Sequence, residues 1–284
     1  MTVALTALPW ERVLCEMEGP GVPKDVGGAA YVFAYLRVLC RGALFEPVEE
    51  ALVKWDRLTA ELASSRLGFA LAPAIAFGIT REGLDAMRAY ATERGMLISL
   101  HTNETPDDDR AILAEHGQRT VPYLEDIGFW GPDVLAVHCV RMQPEDIETL
   151  SRYDVKVSHN PTSNMYLGSG VSPVVEMRRT GLTVGLATDG AASNNSQDMI
   201  ESMKLAGLIQ KLVHTDPSVI TAADVLDMAT IEGAHALGRE QHLGSLEPGK
   251  QADLFVLSPT GAKAVPVLDP AATLAFSAGE ENVL

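Results

Sequence analysis

Short apolar runs alternate with helical stretches along this chain, and that alternation limits its possible folds more than any other feature. The runs are 2–7 (TVALTA), 36–40 (LRVLC), 67–72 (LGFALA), 96–101 (MLISLH), 133–138 (DVLAVH), 154–159 (DVKVSH) and 182–188 (LTVGLAT). Runs this short and this apolar suit strands covered on both faces. Helical patterns lie between them. Residues 80–95 offer Thr80 as an N-cap and stop at Gly95; 143–154 place Pro144 and acidic residues in the first turn; 172–181 start at Ser172-Pro173 and stop at Gly181. Helical patterns at 198–212 and 221–238 follow the last run. The rhythm is that of a parallel α/β fold. At 243–257 the texture changes: Pro248-Gly249 marks a turn, ADLFVL (252–257) reads as a strand, and the remainder to Leu284 is short of helical periodicity.

Four of the later runs finish on a residue able to do chemistry: His101, His138, His159 and Asp189, separated by 37, 21 and 30 residues. These gaps suit βα units. In α/β barrels the C-terminal strand ends carry the active site, so a closed sheet would bring the four side chains to one mouth. Imidazoles plus a carboxylate suit zinc or iron with a position left open for water. Glu104, just past His101, could carry a proton to a leaving group. Each residue also has a plainer reading. A strand-end histidine can be a hydrogen-bonded structural residue, and Asp in Thr188-Asp189-Gly190 can be a turn former. His116 and His235 lie in helical patterns, His214 and His242 in loops, all four as surface or packing residues. The polar stretches 158–170 and 188–199 read equally as capped turns or as substrate-facing loops.

The formal net charge of −16 disfavours a broad nucleic-acid or anionic-membrane surface and suits a small-molecule substrate. Three scattered cysteines make no disulfide framework or CxxC metal site, and a reducing cytoplasm fits. No apolar run reaches transmembrane length, and the N-terminus lacks a signal-peptide pattern.

The segments LHTNET, AVHCV, VSHNPTSNMYLGSGVSPV, LATDGAASNNSQDM and LGSLEPGKQADLFVL stand in an order and spacing that resemble the amidohydrolase superfamily, in the branch of S-adenosylhomocysteine/methylthioadenosine deaminases and triazine hydrolases. The resemblance covers roughly residues 36–284. It implies a (β/α)8 barrel over 1–240 with part of a small β-sandwich over 241–284. It implies that His101 and Asp189 bind one divalent metal, zinc first and iron second. Glu104 would shuttle a proton, His138 would polarise water and substrate, Asp189 would also act as base, and His159 would stand beside the substrate. The implied activity is hydrolysis of a non-peptide carbon–nitrogen bond: deamination of a purine, pterin or triazine.

Three departures accompany it. The family carries a metal-binding His-x-His at the end of strand one, and no His-x-His occurs in these 284 residues. With LRVLC as strand three and TVALTA as strand two, strand one is missing, which predicts an incomplete barrel, weak metal binding and, as an alternative function, an impaired or inactive relative. Ala74 stands where many relatives place a substrate-contacting histidine. Open sheet edges in such a barrel could be covered by packing in a homo-oligomer. Setting the resemblance aside, a doubly wound small-molecule binding protein also fits the rhythm.

Overall fold

The computed structural model describes residues 30–35, 48–61, 67–73 and 75–284. Six strands form one parallel sheet: β1 (Ala30–Tyr35), β2 (Leu67–Ala72), β3 (Leu97–Thr102), β4 (Val134–His138), β5 (Lys156–His159) and β6 (Val184–Leu186). They lie in the sheet in chain order, each pairing the next. This order overturns the doubly wound alternative, which needs a point where strand order reverses. Sequential order is that of a barrel. No ladder joins β6 to β1, so the described strands form an open barrel.

Five of the seven runs became strands. The runs 2–7 and 36–40 lie outside the described residues. The strand that pairs β2 is AYVFAY, immediately upstream of 36–40. Its tyrosines, phenylalanine and valine favour a pleated surface, but two glycines and an alanine before it dilute the pattern.

Helices cover the outer face of the sheet, and their ends follow their caps. In α1 (Val48–Glu61), Trp55 is buried. In α2 (Arg81–Arg94) the Thr80 hydroxyl accepts from Gly83 N, and Gly95 ends the helix with φ of 62°. In α3 (Pro106–His116) and α4 (Thr120–Asp126) a Thr105–Asp108 capping box starts the pair. In α5 (Pro144–Arg152), buried Asp146 caps the Gln143 amide and takes both Arg119 nitrogens at 2.6 and 2.9 Å. Two short helices follow, α6 (Pro161–Tyr166) and α7 (Val174–Arg179). Leu84 and Met87 of α2, Ile147 and Leu150 of α5, and Val174 and Met177 of α7 join Ile98, Leu100, Val134, Ala136, Val157 and Val184 of the strands in one core. On β3 the alternation is visible: Ile98, Leu100 and Thr102 are buried, while Leu97, Ser99 and His101 face the partly open side.

Beyond β6 come α8 (Ala191–Asn194), α9 (Met199–His214), α10 (Ala222–Ala229) and α11 (Ile231–Ala236). His214, expected in a loop, is the last residue of α9. The expected helix over 221–238 is broken at Thr230, whose backbone is not helical and whose hydroxyl bonds back to Leu226 O at 2.7 Å. The break lets Gly233 of α11 approach Gly185 of β6, where a Cβ would lie 3.1 Å from Gly233 Cα.

ADLFVL is not a ladder strand; this corrects the sequence expectation. Only Leu257 pairs, in one antiparallel bridge with Val283, and Leu254, Phe255 and Val256 are exposed. A strand pattern becomes a strand only against a partner edge, and this run meets only the short end of the chain. The remainder also holds a helix, α12 (Pro270–Phe276), capped by Asp269, with Phe276 packed on Gly207 of α9. Among the described residues no helix is long and apolar enough to cross a membrane.

Candidate active site

Four strand ends carry the predicted residues to one end of the sheet: His101 on β3, His138 on β4, His159 on β5 and Asp189 just past β6. The chain turns sharply as it leaves them. Asn103, His138, Cys139 and Asp189 all adopt left-handed backbone, with φ of 49°, 70°, 48° and 62°. Non-glycine residues rarely do so without local support. The support is visible after β3 and β4, where the amides of Val140 and Arg141 both donate to Asn103 O, at 3.1 and 2.8 Å.

His138 is the centre of the group. It is buried, and its ring stacks on His101 with centroids 5.1 Å apart. Its Nδ1 lies 2.8 Å from Asn164 Oδ1, and its Nε2 lies 3.6 Å from Glu104 Oε2. An amide oxygen can only accept, so the shorter contact favours a proton on Nδ1, with Nε2 directed at Glu104; the Asn160 Nδ2 donor lies farther from the same nitrogen, at 3.5 Å. The other Glu104 oxygen accepts from Ser169 Oγ at 2.9 Å, which fixes the carboxyl.

Asp189 accepts from Ser163 Oγ at 2.6 Å, Ser193 Oγ at 2.8 Å and its neighbour Gly190 N at 2.8 Å. Burial alone would raise its pKa; the Ser163 hydrogen bond, the charge of His138, and the Gly190 and Ser193 donors outweigh it and hold the carboxyl below its ordinary value. It is a ready anion.

His159 differs. It is 1% exposed, and neither ring nitrogen has a hydrogen-bond partner among the described residues. Burial, and then the charge of His138, lower its pKa from 6.5 to about 3. The unfolded chain therefore binds a proton between these values that the folded chain refuses. Stability is full above pH 6.5 and falls as pH drops toward 3, by up to about 1.4 kcal/mol per pH unit. Urea midpoints at pH 7, 5.5 and 4.5 should show this slope, and His159→Phe should flatten it. An unchanged slope in the variant would refute the assignment.

The geometry thus sets His138 against both His101 and Glu104, with Asp189 and His159 within electrostatic reach of His138. The other histidines lie elsewhere: His116 stacks on Tyr123, His214 faces Glu176 and His235 faces Thr183. Ala74 lies outside the described residues. Sequence reasoning missed the residues that hold the site: Ser163, Asn164, Ser169 and Ser193. All come from the two polar stretches that read equally as capped turns. The signal was their polarity, and only burial distinguishes the two readings; Ser163, Asn164 and Ser169 are at most 5% exposed.

A zinc hydrolase site offers three protein ligands and a water position. The donors here are right in kind, imidazole and carboxylate. They are short in number: among the described residues, no three His, Cys, Asp or Glu side chains are grouped to hold one ion. Asp189 already accepts three hydrogen bonds. By themselves the described residues do not complete a metal centre.

The chain is 40% identical over 222 residues to the 5'-deoxyadenosine deaminase of Methanothermobacter thermautotrophicus, covering 78% of this chain and 52% of that one. It is 37% identical over 231 residues to the S-triazine hydrolase of Gordonia rubripertincta, 81% of this chain and 47% of that one. The chain spans about half the length of the curated relatives it matches. Among solved structures, an adenosine deaminase from Xanthomonas campestris with bound zinc superposes with a TM-score of 0.83 at 28% identity, over 89% of this chain and 57% of that one. The atrazine chlorohydrolase of Arthrobacter aurescens, complexed with zinc, gives 0.82 at 25% identity over 88% of this chain and 58% of that one. The sequence profile of the amidohydrolase family matches residues 26–284, and the chain belongs to that family.

Proposed function

We propose that this chain carries the Glu104–His138–Asp189 face of a hydrolase that removes the amino group from an adenine nucleoside. The observation that carries the reading is the contact chain Ser169–Glu104–His138–Asn164, set beside an ionised Asp189. Relatives named as 5'-deoxyadenosine deaminases support the substrate class. The reaction adds water to the ring carbon that bears the amino group, breaks the carbon–nitrogen bond and releases ammonia.

Each residue has a task in that chemistry. Asp189, held as an anion, takes the proton from the attacking water. Glu104, anchored by Ser169, delivers a proton to the departing nitrogen. His138, its Nδ1 proton engaged by Asn164, presents Nε2 toward Glu104 and the ring. His159 stays neutral and supplies a buried polar edge beside the substrate. The zinc-bound neighbours support a divalent metal in the family. We assign His101 and Asp189 to it as two ligands of a set that the described residues do not complete.

A second reading is a catalytically impaired relative. The absence of His-x-His from the sequence favours it, together with the short donor set among the described residues. One assay separates the two. The full chain, supplied with zinc, is incubated with 5'-deoxyadenosine and released ammonia is measured. Ammonia above the level of a Glu104→Gln control supports the hydrolase. Release equal to that control rejects it in favour of the impaired relative.

A further inference from the structure

The segments that leave β2 to β6 at the site end are 73–80, 103–105, 139–143, 160–173 and 187–198. They contain one basic residue, Arg141. It sits three residues past His138, and its backbone is tied to the Glu104 segment: Arg141 N donates to Asn103 O at 2.8 Å, and Asn103 Nδ2 donates to Arg141 O at 3.4 Å. Its guanidinium lies against the fourth of these segments, 160–173. A Cβ placed on Gly170 would stand 3.4 Å from Arg141 Nη2, and Gly170 follows Ser169, the residue that anchors Glu104. Gly170 has φ of +127°, so this close approach is built on a glycine.

Several arginines among the described residues are already used. Arg88, Arg119 and Arg178 hold the carboxylates of Asp133, Asp146 and Glu232. Arg141 is exposed, and among the described residues its guanidinium has no carboxylate or other hydrogen-bond partner. The site carboxylates take their hydrogen bonds from other residues, Glu104 from Ser169 and Asp189 from Ser163 and Ser193. An exposed guanidinium without a partner among the described residues, on a backbone tied to the Glu104 segment, matches an oxyanion, which it can grip through two parallel hydrogen bonds.

We propose that Arg141 is a specificity residue that binds an anionic oxygen group, phosphate or carboxylate, carried on the ribose side of an adenine nucleoside at this site. The proposal rests on the deaminase reading above. It makes no demand on the chemical step. Glu104 and His138 handle the ring, and Arg141 selects what the ring is attached to.

Calorimetric titration of the full chain tests it with three probes: neutral 5'-deoxyadenosine, adenosine 5'-monophosphate and adenosine 5'-carboxylate. At low salt, at least one anionic probe should bind about ten-fold tighter than the neutral one. The advantage should vanish in Arg141→Gln, survive in part in Arg141→Lys, and be untouched in Arg179→Gln, an exposed arginine near the opposite end of the sheet. Which anionic probe gains shows whether the group is a phosphate or a carboxylate. If 5'-deoxyadenosine binds and neither anion binds tighter, or if the advantage persists in Arg141→Gln, the specificity role is overturned and the deaminase reading stands. If none of the probes binds, both fall.

Discussion

Glu104→Gln should lower ammonia release from 5'-deoxyadenosine by two to four orders of magnitude while leaving the thermal midpoint nearly unchanged. The range is that of a lost general acid–base group. Glutamine keeps the shape and still accepts from Ser169 Oγ, which holds Glu104 Oε1 at 2.9 Å in the wild type. What it loses is the transferable proton opposite His138 Nε2. The split between activity and stability is the informative part. A Glu104 that only braced the loop would show its loss in the melting curve, with activity falling in step. A fall of less than ten-fold with normal folding would remove Glu104 from the proposed chemistry.

The second large effect is on folding. Gly244→Ala should destabilise the chain by roughly 2–5 kcal/mol, a shift on the order of 10 °C in Tm. Two causes add. Gly244 has φ of +92°, which a side chain disfavours, and a Cβ there would lie 2.8 Å from both Ala234 Cβ and Ile231 Cα, and 3.0 Å from Thr230 O. Two of these three atoms are backbone at the junction of α10 and α11, so they cannot swing aside. Gly249 supplies the comparison. Its φ is +97°, yet nothing lies within 4 Å of its added Cβ. Gly249→Ala should therefore cost only the backbone strain, about 1 kcal/mol. Equal losses from the two variants in urea titrations would show that contact with the α10–α11 junction does not matter.

Much of the site was legible because its residues end strands. A run such as LISLHT declares both a buried β segment and the side chain it delivers, and the spacing of His101, His138, His159 and Asp189 announces the βα repeat that gathers them. The fold was legible for the same reason, from β2 through β6. The shortfalls share a physical cause. β1 lies in an aromatic run diluted by small residues. ADLFVL has a strand's composition but no neighbouring edge to pair with. The run 221–238 has one helical period, and Thr230 breaks it through a hydrogen bond that periodicity does not register. Ser163, Asn164, Ser169 and Ser193 look like ordinary loop polars. Their importance lies in what they touch once the chain has folded, on partners 4 to 65 positions away.

The left-handed turns at the strand ends also set how this protein can vary. At Asn103, His138, Cys139 and Asp189 the backbone admits glycine freely, asparagine and aspartate with little penalty, and β-branched residues hardly at all. Random change at the mouth therefore draws on a narrow alphabet, and that alphabet is rich in short side chains that bind protons, metals or amides. A library that explores new substrates would do better to leave these four positions alone and diversify the segments hung from them, where Tyr166 and Leu167 are more than half exposed. The pivots restrict what can change; the surfaces they carry are open to selection.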